Sequence, residues 1–256
     1  MLASAFPLLL LGFSLGMRHA TDADHVIAVA TVVSRVRSLG TALLIGAMWG
    51  VGHTLTLMVI GGGILLFGLV VPPHVGLAME LSVALMLIGL GVYHLARLYR
   101  AVRRGEPPAP DVAPVEHAAP VAHVAHHDGH RHDLGWADRV FGGSRVYASL
   151  RPLLIGVVHG LAGSAAVALL VLTTVRDPRW GIGYIALFGV GTIAGMTLIT
   201  GVLALPFAYA RARTSGIHNA FGAVASLLSV GFGLFLAYDI SFGSGLFTAN
   251  PQWTPG

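Results

Sequence analysis

The stretch Arg18-His19-Ala20-Thr21-Asp22-Ala23-Asp24-His25 sets two imidazoles, two carboxylates and a guanidinium inside a run that is otherwise almost wholly apolar. That run extends from Ala5 to Met17 before the stretch and from Val26 to Val33 after it. At 1.5 Å per helical residue it is about 45 Å long, enough to cross a bilayer. Apolar flanks of this length predict a membrane span with charge near its middle. Each ionisable group at such a depth costs about 2.5 to 3.5 kcal/mol, so such groups are retained for ion pathways, proton relays or ligands. The cluster reads as a metal site. The alternative, polar residues at a helix end satisfied by interfacial water, fits poorly with apolar sequence on both sides.

On an unbroken helix, at roughly 100° per residue, His19, Asp22 and His25 fan over about 120° and can face one point. Asp24 lies roughly 100° beyond His25, so on that wheel it supports the ligands from behind, or ligates directly only if the helix unwinds. Arg18 precedes Asp22 by four residues, a spacing that also permits an ion pair. Imidazoles with few carboxylates suit nickel, copper, cobalt or zinc, whereas magnesium and calcium prefer oxygen shells.

Composition agrees with the membrane reading. The chain has 256 residues, 55% hydrophobic and 10% charged, the size of about six membrane helices. Every basic residue is an arginine, so the net charge of +4 resides in loop arginines and implies no nucleic-acid partner. Without cysteine there are no disulfides, thiolate metal sites or cysteine nucleophiles. The first segment lacks a basic start and a small-residue cleavage site, so it reads as mature helix rather than signal peptide.

Apolar spans are expected at about residues 3–33, 40–70, 75–98, 152–175, 181–209 and 217–240. The first two exceed the roughly 20 residues needed to cross, which predicts tilt, or breaks near Gly12 and Gly16 and near Gly50 and Gly52. Arginines follow the first span (Arg35, Arg37), the third (Arg97, Arg100, Arg103, Arg104) and the fifth (Arg211, Arg213). By the positive-inside rule those loops are cytoplasmic and both termini face outward, with Arg176 and Arg179 a weak dissent.

The expected fold class is an all-α integral membrane protein of about six helices, built as two inverted three-helix repeats. The first repeat covers residues 1–100 and carries the metal motif; the second covers 152–243. Residues 101–151 form a disordered, His-rich cytoplasmic linker, and 244–256 a short tail. In the linker, His117, His123, His126, His127, His130 and His132 crowd together, either as a solvated spacer or for loose metal capture. The halves echo each other: Gly50-Val51-Gly52-His53 matches Gly189-Val190-Gly191-Thr192, Gly89–Tyr93 matches Gly231–Phe235, and His19 meets His159 in register. Three spans per repeat invert the second half, the build of many transporters with midplane sites.

His53, between Gly52 and Thr54, is the expected fourth ligand, with a hydrogen bond across helices as its alternative. His159, Ser164, Thr192 and Met196 lie at the matching depth of the second half, as part of a polar path or as helix bridges. Glu80 either guides cations or faces water, and His94, His218 and Asp239, near span ends, are expected to be solvated.

His19, Asp24 and His25 form the His-x4-Asp-His signature of the nickel/cobalt transporter family, which this chain resembles. Gly52-His53-Thr54 is similar to that family's Gly-His-Ser/Thr element, and Gly191–Met196 is a looser likeness of a later one. Typical members have eight spans and an acidic Phe-Asp-Thr/Ser motif without counterpart here, so the resemblance is to the shorter six-span urease-accessory branch. It implies that His19, Asp24 and His25 bind Ni²⁺ or Co²⁺ during transport. With the residue reading, the metal set is His19, Asp22, Asp24, His25 and His53.

The expected function is secondary transport of Ni²⁺ or Co²⁺ as substrate across a bacterial-type plasma membrane, most simply uptake, with no cofactor. Efflux is the runner-up. A membrane metalloenzyme is the third reading, disfavoured because no His-Glu-x-x-His helix is present. No lysine exists to build a phosphate-binding loop, so ATP is not used directly. Expected partners are the metal ion, the bilayer and metallochaperone or metalloenzyme-maturation proteins.

Overall fold

The computed structural model describes residues 2–34, 36, 38–68, 71–104, 145–161, 178–213, 215–248 and 250–253. Within them the chain is helical: α1 (Leu2–His19), α2 (Ala23–Val33), α3 (Leu39–Phe67), α4 (Pro73–Arg104), α5 (Arg145–His159), α6 (Pro178–Arg213) and α7 (Ser215–Tyr238). A π-helical turn, Asp239–Gly243, prolongs α7. The described residues contain no strand. The histidine tract, Ser164 and most of the expected fourth span lie outside them.

Four helical stretches are long and apolar enough to cross a membrane: Leu39–Phe67, Pro73–Arg104, Trp180–Phe207 and Asn219–Gly243. Ala23–Val33 and Leu150–His159 are shorter apolar helices. Outward-facing Val59, Leu85, Val202, Leu227 and Phe235 are each more than half exposed. Apolar surface on this scale is unstable against water and at ease against lipid tails, and with the apolar helices it makes the chain a helical membrane protein.

The first span departs from expectation in an informative way. Its break falls at Ala20–Asp22, within the charged motif, and not near Gly12 or Gly16. The Thr21 and Asp22 amides close on the Arg18 and His19 carbonyls at 2.8 and 3.0 Å, tightening the end of α1, and α2 starts afresh with Val26 N–H donating to Asp22. Glycines 12 and 16 are instead packing positions. The second span does not break at all: α3 runs unbroken through Gly50 and Gly52. Its start is capped by Ser38, whose hydroxyl accepts from Thr41 N–H at 3.1 Å. Its end is set by Gly68 at φ 63°, a left-handed conformation that glycine adopts without strain.

Packing pairs the two halves crosswise. Helix α1 lies on α6, α5 on α3, α3 on α6, and α4 on α7. The contacts are reciprocal. A Cβ on Gly16 would strike the Phe188 carbonyl, and one on Gly156 the Trp49 carbonyl; Gly52 faces Leu153 as Gly191 faces Phe13. Between α3 and α6, Gly50 meets Ile193 and Gly189 meets Thr54. Between α4 and α7, Gly91 meets Ser226 and Gly233 meets Ala84, and the Ser229 hydroxyl donates to the Leu87 carbonyl at 2.8 Å beside them. In lipid there is little hydrophobic force between helices, so association depends on such close backbone approach and on hydrogen bonds across helices. These glycines therefore fix how α1 and α5 abut α6 and α3, and so where the ends of α1 and α5 sit.

Candidate metal centre

The ends of α1 and α5 meet at the start of α2 and the middle of α3. His19 is the last residue of α1, His159 the last of α5, His25 is in the first turn of α2, and His53 is on α3. All four histidines are buried. The His25 ring stands between the other two helix ends, 4.6 Å from His19 and 4.1 Å from His159 by ring centroids. Aromatic walls close both sides symmetrically: Phe188 is 5.6 Å from His19, and Trp49 is 5.6 Å from His159.

Two sets of ligand-type atoms converge here, each within 4.8 Å: His19, His25 and His53, and Asp24, His25 and His159. His25 belongs to both. In the first set, His19 Nε2 and His53 Nε2 are 3.1 Å apart. Two nitrogens held about 2.05 Å from one ion at a tetrahedral angle would lie about 3.3 Å apart, so the spacing suits a shared cation. The other His19 nitrogen, Nδ1, donates to Asp22 at 2.7 Å, which leaves Nε2 as the lone-pair donor. His25 Nδ1 donates to Asp24 Oδ1 at 3.1 Å, and His25 Nε2 has no hydrogen-bond partner among the described residues. An imidazole anchored through one nitrogen to a carboxylate, with the other free, is how metal-ligating histidines are usually held.

The break in the helix changes what each carboxylate does. With α1 ending at His19, the wheel that aligned His19, Asp22 and His25 no longer applies. Asp22 sits at the N-cap of α2 with its side chain 47% exposed, and its partner is His19 rather than an arginine one turn away. Asp24 is 18% exposed and turned inward, accepting from the His25 backbone and ring and from His159 Nε2 at 3.0 Å. Thus Asp24, and not Asp22, stands among the converging groups. His19, His25 and His53 are brought together as the sequence suggested.

His159 is the residue that sequence reasoning undervalued. Its signal was the shared register with His19: both follow a packing glycine by one helical turn, Gly156 and Gly16. Thr192, at the place corresponding to His53, ties its hydroxyl to the Phe188 carbonyl at 3.0 Å within its own helix. Met196 is buried in the core cluster. Glu80 neither faces water alone nor points to the centre, since its carboxylate accepts from Trp253 Nε1 at 2.9 Å. His94, expected at a solvated end, is buried beside Tyr93; Asp239 is exposed as expected.

Compared with known proteins, the chain is 34% identical over 240 residues to the urease accessory protein UreH of Bacillus sp. (strain TB-90), covering 94% of each chain. No family model matches, and no solved structure does.

Proposed function

Because the chain belongs to the UreH family of urease accessory proteins, we propose that it is a multi-pass plasma-membrane permease that brings Ni²⁺, or Co²⁺ in its place, into the cell for metalloenzyme maturation. The observation that carries this reading is the convergence of buried His19, His25 and His53 within 4.8 Å inside an apolar helical bundle. The three buried imidazoles form a nitrogen-rich set that favours late first-row divalent ions over magnesium or calcium. A family of accessory proteins agrees with transport rather than catalysis.

Six spans in two inverted repeats fit the reciprocal contacts. If each half supplies three helices of the same build, Gly16 and Gly156, Gly52 and Gly191, and Gly91 and Gly233 are equivalent pairs, and each meets the equivalent of the other's partner. In such folds broken helices meet at the midplane and the halves rock about the site. The interruption at Ala20–Asp22 and the end of α5 at His159 supply the two helix ends. An inside-negative potential draws a divalent cation inward by about 4.6 kcal/mol per 100 mV, so uptake needs no phosphate-binding machinery.

Radioactive nickel accumulation in cells with and without the protein, at matched expression, tests this. Greater accumulation with the protein, lost on His25→Ala, is the expected result. Lower accumulation would indicate export, and no difference would remove the transport reading.

A further inference from the structure

We infer that the centre holds its cation in two successive positions that share His25, one formed by His19, His25 and His53 and the other by Asp24, His25 and His159, and that His159 is the ligand through which the ion leaves the first for the second. This rests on the permease reading above and specifies its path.

The two sets are contributed asymmetrically. His19 and His53 come from the first part of the chain, His159 from the end of α5, and His25 lies between them with ring centroids 4.6 Å from His19 and 4.1 Å from His159. His53 and His159 are 6.2 Å apart, farther from each other than either is from His25, at 5.1 and 4.1 Å. One ring belonging to both sets makes them alternatives for one ion, because two divalent cations on either side of a single imidazole repel strongly in a site sheltered from water. Moving from one set to the other keeps one ligand throughout and exchanges two nitrogens for one nitrogen and one carboxylate oxygen. The ion is never bare.

The free nitrogens suit this exchange. His25 Nε2 is buried without a hydrogen-bond partner among the described residues, a costly condition that a bound cation relieves, and His53 Nδ1 and His159 Nδ1, likewise unpartnered, are free to carry the proton that Nε2 gives up. In the second position the ion replaces the proton that His159 Nε2 donates to Asp24. Neutral imidazole can carry that proton on Nδ1 instead, so the hydrogen bond to Asp24 is exchanged for coordination by both groups with no change in the charge of His159. Asp24 is the only carboxylate in either set, so a carboxylate ligand marks the second position spectroscopically.

The test uses the full chain in lipid nanodiscs and in proteoliposomes, with Co²⁺ as the probe. At one equivalent, X-ray absorption and visible spectra of the wild type are compared with His53→Ala and His159→Asn, and Co²⁺ flux is measured for each. The expected result is that His159→Asn still binds Co²⁺ with an imidazole-rich shell but carries it at least about tenfold more slowly. His53→Ala should bind Co²⁺ with a carboxylate oxygen newly in the shell. Flux through His159→Asn equal to wild type would overturn the two-position path while leaving the permease reading intact. Loss of all Co²⁺ binding in a folded His159→Asn protein would also overturn it, by showing one composite site. Should that variant fail to fold, the His53→Ala shell decides, and a spectrum identical to wild type refutes the proposal. Absence of Co²⁺ binding and flux in the wild type would remove both readings.

Discussion

Asp24 and His159, 135 residues apart in sequence, are joined by a 3.0 Å hydrogen bond from His159 Nε2 to Asp24 Oδ2. Neither a helix wheel nor a local motif relates them. The bond ties the beginning of α2 to the end of α5, and it gives Asp24 a role that Asp22, turned outward toward His19, does not have.

Asp24→Asn should therefore reduce nickel uptake more than Asp22→Asn, by about 10 to 100-fold, the loss typical when a carboxylate holding metal ligands is removed. Asp22→Asn keeps a side chain able to accept from His19 and lies at a half-exposed edge, so its effect should be smaller. Uptake assays on the two variants at equal membrane abundance decide the order. The opposite order would favour Asp22 as the direct ligand.

His25→Ala should abolish transport, because His25 belongs to both converging sets and no neighbouring ring substitutes for it. His53→Ala removes a member of one set and should leave residual uptake. Equal residual uptake by the two variants would contradict the shared position of His25.

Gly52→Ala should destabilise the protein by about 1 to 3 kcal/mol, since the added methyl would meet the Leu153 carbonyl across α5. Gly62→Ala is the control. Nothing lies within 4 Å of a Cβ there, and alanine in a helix is favoured over glycine by up to about 1 kcal/mol. Thermal unfolding in detergent should fall for the first variant and hold or rise for the second.

Shortening the linker between Pro107 and Asp133, with Arg97 to Arg104 retained, should leave nickel or cobalt transport and the rejection of magnesium in place. Selectivity is expected to reside in the buried centre, where His19, His25 and His53 converge within 4.8 Å. Flux of the three metals through the shortened protein checks this. Complete loss of transport would put the tract in the path.

Much of this was determined by sequence alone. Apolar runs of membrane length, arginines gathered in alternate loops, and a lone charged cluster flanked by apolar residues follow from transfer energies, which each residue carries wherever it lies. The same local chemistry singled out His19, Asp22, His25 and His53, while Asp24 entered as a ligand through the family signature. The register of Gly16 and His19 with Gly156 and His159 was also readable, since the glycine precedes the histidine by three residues in both.

Which groups meet follows from the packing of distant segments. On an unbroken helix Asp22 would face the ligands, and Asp24 would join them only if the helix unwound. The chain ends α1 at His19, and that single interruption turns Asp22 outward and Asp24 inward. The amides at the break are satisfied locally, Thr21 and Asp22 on the Arg18 and His19 carbonyls, whereas the side chains of His19 and Asp24 find His53 of α3 and His159 of α5, two helices that Gly52 and Gly156 let approach at backbone contact. His159 joins the centre for the same reason: its distance from Asp24 is set by packing between segments far apart in the chain, which no local pattern encodes.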